Sequence, residues 1–346
     1  MPFKAMDILG ITILVDYNKM LKQAGVEVDY IMNPCSLEAT EDELITAIGD
    51  ADAVVTQNLF QPFTRKVLSN LGNLKFSISV GVGYDKLDVD AATELGIMVA
   101  NVPDLSLEEV SDHAMALILA CTRRVVELNN IVKSGGWKAQ PDRDIGSEIW
   151  PKMFRLRGKT LGLIAFGRIP RALTPKAKGF GLRILAYDPY IDEDIFKKYG
   201  VERVTDLDEL LAQSDVVSVH APLNAETRHM VGLEQLQKMK PSACLVNTAR
   251  GPVVDHEALY TVLSQGGIAA AAFDVTEPEP IALDNPLLKL DNFIVTPHSA
   301  HAFSSSHPDL PKRPVEEIIR VVKGEWPVGL INKQVKEKYL QKWSKS

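Results

Sequence analysis

The segment around Gly167 carries the clearest chemical signal in the chain. An apolar run at 160–166 leads into a tight turn, where a dinucleotide-binding fingerprint would place glycines at positions 165, 167 and 170. Of these, only Gly167 is present, and it is the glycine that lets the backbone approach a pyrophosphate. Asp188 follows the next apolar run, 21 residues after Gly167, where a carboxylate would bind ribose hydroxyls and repel a 2′-phosphate. These features predict binding of NAD rather than NADP, with contacts from Gly167, Arg168, Ile169 and Asp188.

Two prolines distinguish this fingerprint from an intact one. Pro170 replaces the small residue that allows close packing of helix and strand, and it lacks an N–H group. Pro175 lies further along the helix and should kink it or shorten it from its N-terminal end, at a cost on the order of 3 kcal/mol. We therefore predict a distorted phosphate site with reduced NAD affinity. A plain strand-to-helix turn without a ligand is the alternative interpretation.

The surrounding elements alternate between short apolar runs and helix-like stretches, which is typical of parallel βαβ units. Because two such series follow one another, the sequence predicts an α/β fold with two doubly wound parallel-sheet domains. Ligands in such folds bind outside the carboxyl ends of the strands. The predicted strands of the first series are 11–15, 26–32, 51–56, 74–80 and 97–102. Those of the second are 160–166, 183–187, 215–220, 243–248, 268–275 and 292–296.

Helical periodicity marks two further segments. Apolar residues at three- and four-residue steps predict one long helix over 107–132, and a second amphipathic helix over 313–323 that packs on the first domain. The segment 138–158 lacks a clean period and is predicted to be a surface loop.

The length and composition of the chain exclude several classes of protein. A length of 346 residues is enough for roughly two domains. A net charge of −7 argues against general nucleic-acid binding, which requires a basic face. Three scattered cysteines predict a reducing compartment and no cysteine-rich metal site. Because no apolar stretch reaches membrane-span length, we expect a cytoplasmic protein that binds neither membrane nor metal.

Several ordered motifs together are highly specific. On their basis the chain resembles the D-isomer-specific 2-hydroxyacid dehydrogenases over nearly its whole length. Within that family it is most similar to the C-terminal-binding-protein and phosphoglycerate (glycerate) dehydrogenase branches. The matching segments are Val80–Asp88, Val102–Asp104, Glu109–Ala114, Asp188–Tyr190, His220–Leu223, Val246–Gly251, Asp274–Val275, Glu279–Pro280 and Thr296–His298.

The resemblance implies a domain organisation and a set of cofactor contacts. It implies a flavodoxin-like substrate domain over 1–108, completed by 302–346, and a Rossmann NAD domain over 109–301, with a cleft between them. It also implies a homodimer built through the NAD domain. Beyond the fingerprint, the implied NAD contacts are His220, Ala221, Pro222, Thr248, Ala249, Arg250, Asp274 and His298.

Reduction of a 2-oxo acid requires a proton donor and a cation for the carboxylate, while the cofactor supplies hydride. The resemblance assigns these roles to His298 and Arg250, with Glu279 beside the histidine. Histidine titrates near neutral pH, and a neighbouring carboxylate favours its imidazolium form. Arginine matches a carboxylate as a planar fork. Glu279 is preferred over Glu277 because the family's glutamate stands five residues after the aspartate, here Asp274.

For each catalytic candidate, a purely structural or surface role is the alternative interpretation. Arg250 could pair with Asp255 at the surface, and Glu279 could be a solvated loop acid. His298 could be a helix cap or a core histidine. His301 is a rival proton donor, and it could instead line the substrate pocket.

Val80, Gly81, Val82 and Gly83 follow a predicted strand and suit a backbone nest for the substrate carboxylate, together with Arg250, His298 and His301. A tight turn is the alternative.

The expected function is NAD-dependent reduction of a small 2-oxo acid, such as glyoxylate or hydroxypyruvate, to a D-2-hydroxy acid. The competing hypotheses are an NAD(H)-sensing interaction protein of the C-terminal-binding-protein type with weak catalysis, and a protein of the same fold that no longer binds cofactor.

Overall fold

The computed structural model describes residues 2–137, 144–302 and 311–343. The strands are β1 (Phe3–Asp7), β2 (Val28–Met32), β3 (Ala53–Thr56), β4 (Phe76–Ser79), β5 (Met98–Ala100), β6 (Thr160–Ile164), β7 (Arg183–Tyr187), β8 (Glu202–Val204), β9 (Val216–Val219), β10 (Cys244–Asn247), β11 (Ala270–Phe273) and β12 (Phe293–Val295). The α-helices are α1 (Tyr17–Ala24), α2 (Glu41–Ile48), α3 (Arg65–Asn70), α4 (Val89–Glu94), α5 (Leu107–Thr122), α6 (Val125–Lys133), α7 (Ile145–Glu148), α8 (Arg168–Gly179), α9 (Glu193–Tyr199), α10 (Leu207–Gln213), α11 (Leu233–Lys238), α12 (His256–Ser264), α13 (Lys312–Val322) and α14 (Lys336–Trp343). Short 3₁₀ helices span Ile11–Leu14, Trp150–Lys152, Gly251–Val253, Pro286–Lys289 and Lys333–Val335.

The chain divides into two compact units, one of Met1–Leu105 with Ser304–Ser346 and one of Ser106–Phe303. The first unit is built on a parallel sheet with strand order β2-β1-β3-β4-β5, which is the flavodoxin-like order. Apolar side chains of α2, α3 and α4 form a core with one face of the sheet. Those of α1 and α13 form a core with the other face. This unit is therefore doubly wound, as the alternation of strands and helices predicts.

The second unit is built on a parallel sheet with strand order β12-β11-β10-β9-β6-β7-β8. Reading outward from β6, the order reverses between β6 and β9, which is the switch point of a Rossmann fold. Residues of α10, α11 and α12 form the core on one face, and residues of α5, α8 and α9 form it on the other. The prediction of two parallel-sheet α/β domains is confirmed. None of the helices in the described parts of the chain has the length and apolar character of a transmembrane span.

One predicted strand is absent, and two observed strands are not predicted from the sequence. The apolar run 11–15 is not a strand, because Asp7 accepts hydrogen bonds from the backbone N–H groups of Leu9 and Gly10 and turns the chain into the 3₁₀ helix Ile11–Leu14. The first strand is instead β1, whose short mixed sequence gives little apolar signal. The other strand is β8, a three-residue edge strand that is too short to give a clear apolar run.

The predicted helix over 107–132 is two helices. The chain breaks between α5 and α6 because Arg124 takes a left-handed conformation, with φ of 53°. Its buried guanidinium donates from Nη2 to the carbonyl oxygen of Ala269, 2.7 Å away. Arginine is a good helix former, so propensity cannot signal this break. Of the predicted loop at 138–158, residues 138–143 lie outside the described residues, and α7 and Trp150–Lys152 form short helical turns.

The C-terminal segment is tied into the first unit by a buried asparagine. Asn332 is fully buried, and its Nδ2 donates to the carbonyl oxygen of Ile97 at 2.9 Å and to Thr93 Oγ1 at 3.1 Å. Its Oδ1 accepts the N–H group of Val99 at 3.1 Å. The side chain thereby satisfies backbone groups beside β5.

Asn332→Ala should lower the free energy of unfolding by about 3 kcal/mol, because it leaves buried backbone groups without partners. Urea denaturation measures this loss. Asn70→Ala, which removes an exposed asparagine of the same unit, is the control and should change stability by less than about 0.5 kcal/mol. Equal stability of the two variants would show that Asn332 does not anchor the C-terminal segment.

Candidate active site

The polar residues singled out in the second unit share one edge of its sheet. Because all seven strands are parallel, residues that directly follow them meet at the carboxyl edge, where ligands of such folds bind. The candidate residues by strand are Gly167 after β6, Asp188 after β7, His220 after β9, Thr248 to Arg250 after β10, Asp274 to Glu279 after β11, and Thr296 to His298 after β12.

His298 and Glu279 form a direct side-chain pair. The ring nitrogen Nδ1 of His298 contacts Oε1 of Glu279 in a short hydrogen bond. The two side chains are 19% and 35% exposed, so both can meet a small ligand while the protein screens them partly from water. His298 has a left-handed backbone with φ of 51°, which is uncommon for a residue with a Cβ. Backbone strain of this kind persists only where surrounding contacts hold it.

Those contacts come from the carboxylate of Asp274. Its side chain is 1% exposed and accepts the N–H groups of Ser299 at 2.9 Å and Ala300 at 2.8 Å. It also accepts the hydroxyl of Thr296 at 2.6 Å. In addition, the N–H of His298 donates to the carbonyl oxygen of Asp274 at 2.8 Å. Asp274 therefore fixes the backbone on both sides of His298.

His113 also contacts this network, although it is not among the residues predicted for the site. It lies on α5, and its Nε2 is 3.0 Å from Thr296 Oγ1 and 3.5 Å from Asp274 Oδ1. The network around Asp274 thus extends to a helix far away in sequence. The only available signal is that His113 lies within a motif of the family resemblance, Glu109–Ala114.

The two glutamates of the segment after β11 have different partners. Glu279 pairs with His298, whereas Glu277 accepts from Arg228 Nη1 at 2.8 Å and lies 2.9 Å from His229 Nε2. The alternation Glu-Pro-Glu-Pro therefore places one carboxylate against His298 and the other against Arg228 and His229.

Arg250 follows β10 on a turn fixed by Asn247. The side chain of Asn247 donates to the carbonyl oxygen of Arg250 at 2.9 Å and accepts the N–H of Ala249 at 3.0 Å. Arg250 is partly buried, and its Nη1 donates to the carbonyl oxygen of Ala249 at 2.6 Å. Asp255, the alternative partner weighed for Arg250, caps α12 by accepting from the N–H groups of Glu257 and Ala258.

The fingerprint turn has the form that a dinucleotide requires. Ala165 occupies the first glycine position with φ of 71°, so the turn bends as it would with glycine there. Gly167 caps α8, and a Cβ at this position would meet no atom within 4 Å, which leaves open space for a phosphate. Pro170 is the third residue of α8, so Arg168 and Ile169 carry the first helical N–H groups. Pro175 stands inside α8, which still begins at Arg168, so the predicted N-terminal shortening is wrong.

Asp188 is held against this turn. Its Oδ2 accepts the N–H of Phe166 at 2.8 Å, and its Oδ1 accepts the N–H of Tyr190 at 2.9 Å. A carboxylate oxygen accepts two hydrogen bonds, so each oxygen keeps capacity for a ribose hydroxyl.

Two further residues at the strand ends fit a bound dinucleotide. Thr248 Oγ1 is buried and has no hydrogen-bond partner among the residues that the structure describes, so a ligand group would satisfy it. Burial lowers the pKa of His220 to about 3, and its Nε2 lies 2.9 Å from Ser218 Oγ. His220 is therefore neutral at physiological pH. Ala221 beside it is buried and Pro222 is exposed. The residues present thus fit NAD.

The first unit contains the predicted nest residues. Val80 is buried, Gly81 has φ of 121°, and Val82 is 40% exposed. Two side chains outside residues 80–83 hold this turn. Asn101 Nδ2 donates to the carbonyl oxygen of Val82 at 2.7 Å, and Ser79 Oγ donates to the carbonyl oxygen of Gly83 at 3.4 Å. Gln57 Nε2 donates to the carbonyl oxygen of Val80.

His301, the rival proton donor, stands beside His298. The two rings meet edge to face with centroids 5.8 Å apart. Desolvation and the nearby His298 ring lower the pKa of His301. No group of histidine, cysteine or acidic side chains within residues 2–137, 144–302 and 311–343 is arranged to hold a metal ion.

The fold and this site define a Rossmann-type oxidoreductase with a histidine–carboxylate pair. Residues 115–300 match the family model of the D-isomer specific 2-hydroxyacid dehydrogenase NAD binding domain. The chain is 43% identical over 294 residues to a glyoxylate reductase of Korarchaeum cryptofilum, covering 84% of this chain and 86% of that protein. It is 40% identical over 293 residues to a D-3-phosphoglycerate dehydrogenase of Methanocaldococcus jannaschii, covering 85% of this chain and 54% of that protein.

A solved structure agrees with these relatives. The crystal structure of a glyoxylate reductase from Paecilomyes thermophila has a TM-score of 0.81 at 28% identity, with 96% of this chain and 99% of that chain covered. The chain therefore belongs to the D-isomer specific 2-hydroxyacid dehydrogenase family. This membership confirms the resemblance drawn from the motifs, together with NAD as cofactor and an NAD-dependent dehydrogenase activity.

Asp274→Asn should lower the free energy of unfolding by about 2–3 kcal/mol, because the amide cannot accept from both Ser299 and Ala300 as the carboxylate does. Urea denaturation checks this expectation. Asp194→Asn, at a 94% exposed side chain of α9, is the matched control. If both variants match the wild-type stability, Asp274 does not hold the His298 segment.

Proposed function

We propose that the protein reduces small 2-oxo acids, with glyoxylate and hydroxypyruvate as the first candidates, to D-2-hydroxy acids with NADH. The observation that carries this proposal is the His298–Glu279 pair at the carboxyl edge of a Rossmann sheet. Two similar proteins named glyoxylate reductase support the substrate class.

His298 is the proposed acid and base. Glu279 contacts Nδ1, so Nε2 is the nitrogen that gives a proton to the carbonyl oxygen during reduction and takes it back during oxidation. The hydrogen bond from Nδ1 to the Glu279 carboxylate fixes the orientation of the ring. Asp274 acts on the backbone and keeps His298 in its left-handed conformation. NADH, when bound, supplies the hydride.

Arg250 is the proposed cation for the substrate carboxylate, because its planar guanidinium matches that group. For the first unit, we propose that the backbone N–H groups of residues 80–83 also bind carboxylate, and that His301 contributes to substrate preference. Gln57 is neutral and already donates to the carbonyl oxygen of Val80. Its neutrality favours a small unphosphorylated acid over a phosphate ester.

The proposed NAD contacts are those of the fingerprint and the strand ends. Asp188 would accept hydrogen bonds from the ribose hydroxyls. The N–H groups of Gly167, Arg168 and Ile169 would bind the pyrophosphate. Ala221 and Pro222 would border the adenine beside His220, and Ala249 and Asp274 would lie towards the nicotinamide.

We also propose that the active form is a homodimer, with 1–108 and 302–346 forming the substrate domain and 109–301 the NAD domain.

Replacement of His298 by Asn should lower the rate of NADH-dependent glyoxylate reduction by about 10²- to 10⁴-fold, because the proton donor is lost. Glu279→Gln should lower this rate by about 10-fold, because the ring of His298 loses the carboxylate that holds its orientation. Steady-state oxidation of NADH across a pH series measures both effects. Glu234→Gln, at an exposed position of α11, serves as the charge-matched control.

A His298→Asn variant with the wild-type rate would refute the proton-donor assignment. If the wild type binds NADH but turns over none of a panel of 2-oxo acids, the dinucleotide-sensing alternative is favoured instead.

Pro170→Gly should tighten NADH binding by about 10-fold, because it restores an N–H donor for a charged phosphate at the start of α8. Titration followed by energy transfer from the tryptophans to NADH measures the dissociation constant. Pro175→Ala is the control, since that position lies two turns into α8. Unchanged or weaker binding by Pro170→Gly would show that the proline does not impair the phosphate site.

A further inference from the structure

A second cluster of charged groups lies beside the catalytic pair and has no role in the mechanism above. It consists of Arg228, His229, Glu277 and His256, and is called the clamp here. Glu277 receives hydrogen bonds on both carboxylate oxygens, Oε1 from Arg228 Nη1 at 2.8 Å and Oε2 from His229 Nε2 at 2.9 Å. Its backbone N–H donates to His256 Nδ1 at 3.3 Å. Three side chains thus converge on a residue that stands two positions before Glu279.

The clamp also joins two strand ends. The N–H of His229 donates to the carbonyl oxygen of Pro252 at 2.8 Å, and His229 takes a left-handed backbone with φ of 53° to do so. At Gly251, a Cβ would lie 2.1 Å from the carbonyl oxygen of Thr276, so only glycine allows this approach. The turn after Arg250 therefore touches the segment that leads to Glu279.

The protonation states of the clamp suit these bonds. Burial acts to raise the pKa of Glu277, but the hydrogen bonds from His229 and Arg228 outweigh this effect and lower the pKa. Glu277 is therefore a carboxylate at neutral pH. Burial lowers the pKa of His256, and a neutral ring can accept the Glu277 N–H at Nδ1.

We propose that Glu277 is a positioning residue for catalysis: the clamp fixes the segment after β11 so that Glu279 stays against His298. This inference rests on the proposed function, because it assumes that the Glu279–His298 pair moves the proton. Thr276 supports the same geometry, since its Oγ1 donates to the carbonyl oxygen of Pro278 at 2.8 Å and closes the turn between the two glutamates. Glu277 acts on the reaction only through Glu279.

The first test is Glu277→Gln, measured as NADH-dependent glyoxylate reduction over a pH series. The variant should lose between about 10-fold and 100-fold in kcat, as small misplacements of catalytic groups do. Its pH profile should match that of Glu279→Gln, because both variants separate His298 from its carboxylate neighbour. Glu257→Gln removes one negative charge at an exposed position next to His256 and should leave both properties at wild-type values.

The second test separates action through Glu279 from independent action. In a Glu279→Gln background, Glu277→Gln should cause no further loss in kcat and no further shift of the pH profile. Additive losses would overturn the proposal. So would wild-type kcat and pH profile in Glu277→Gln.

The third test uses two variants of His229 and keeps the proposal testable if Glu277→Gln folds poorly. His229→Gln keeps a nitrogen donor for Glu277 and should retain most of the kcat, whereas His229→Leu should behave like Glu277→Gln. Equal activity of the two would overturn the proposal. If instead His298→Asn and Glu279→Gln keep the wild-type rate, the proposed function itself fails, which distinguishes that outcome from a failure of the clamp alone.

Discussion

A buried carboxylate must be surrounded by hydrogen-bond donors, and this requirement shapes the centre of the second unit. Asp274 is 1% exposed, and its partners are the backbone N–H groups of Ser299 and Ala300 and the hydroxyl of Thr296. Leaving any of these groups unpaired in the interior would cost on the order of 1–3 kcal/mol. The chain after β12 therefore has little freedom, and His298 is held in a conformation that it would rarely adopt otherwise.

The neighbouring strand ends are linked by equally local constraints. Asn247 holds the turn of Arg250, and Gly251 allows that turn to touch Thr276. The segment after β11 then carries Glu277 into the clamp and Glu279 to His298. Rigid parallel strands supply the coarse placement, while these short hydrogen bonds orient the reacting groups. This division explains how a common fold can hold the side chains of His298 and Glu279 in one defined arrangement.

The alternation of strands and helices and the candidate residues at the strand ends follow from the sequence because both depend on local patterns. Buried parallel strands are short apolar runs, and the residues after them lie at one edge, so Gly167 and Asp188 could be found from their positions, whereas the role of His298 comes from the family resemblance. The motif spacing also favours Glu279 over Glu277, and the structure brings Glu279 to His298. Long-range contacts leave no such pattern. The partnership of His113 with Thr296, the clamp on Glu277 and the break at Arg124 each join residues distant in sequence.

His298 is proposed to serve as the acid in reduction and as the base in oxidation. The most direct measurement is the pH dependence of both reactions on the same protein, glyoxylate reduction with NADH and glycolate oxidation with NAD. This dual role of His298 predicts that reduction declines as pH rises and oxidation declines as pH falls, because reduction requires a ring that can give a proton and oxidation a ring that can take one. It further predicts that both declines disappear in the residual activity of His298→Asn. Declines in the same direction, or declines that persist in that variant, would contradict it.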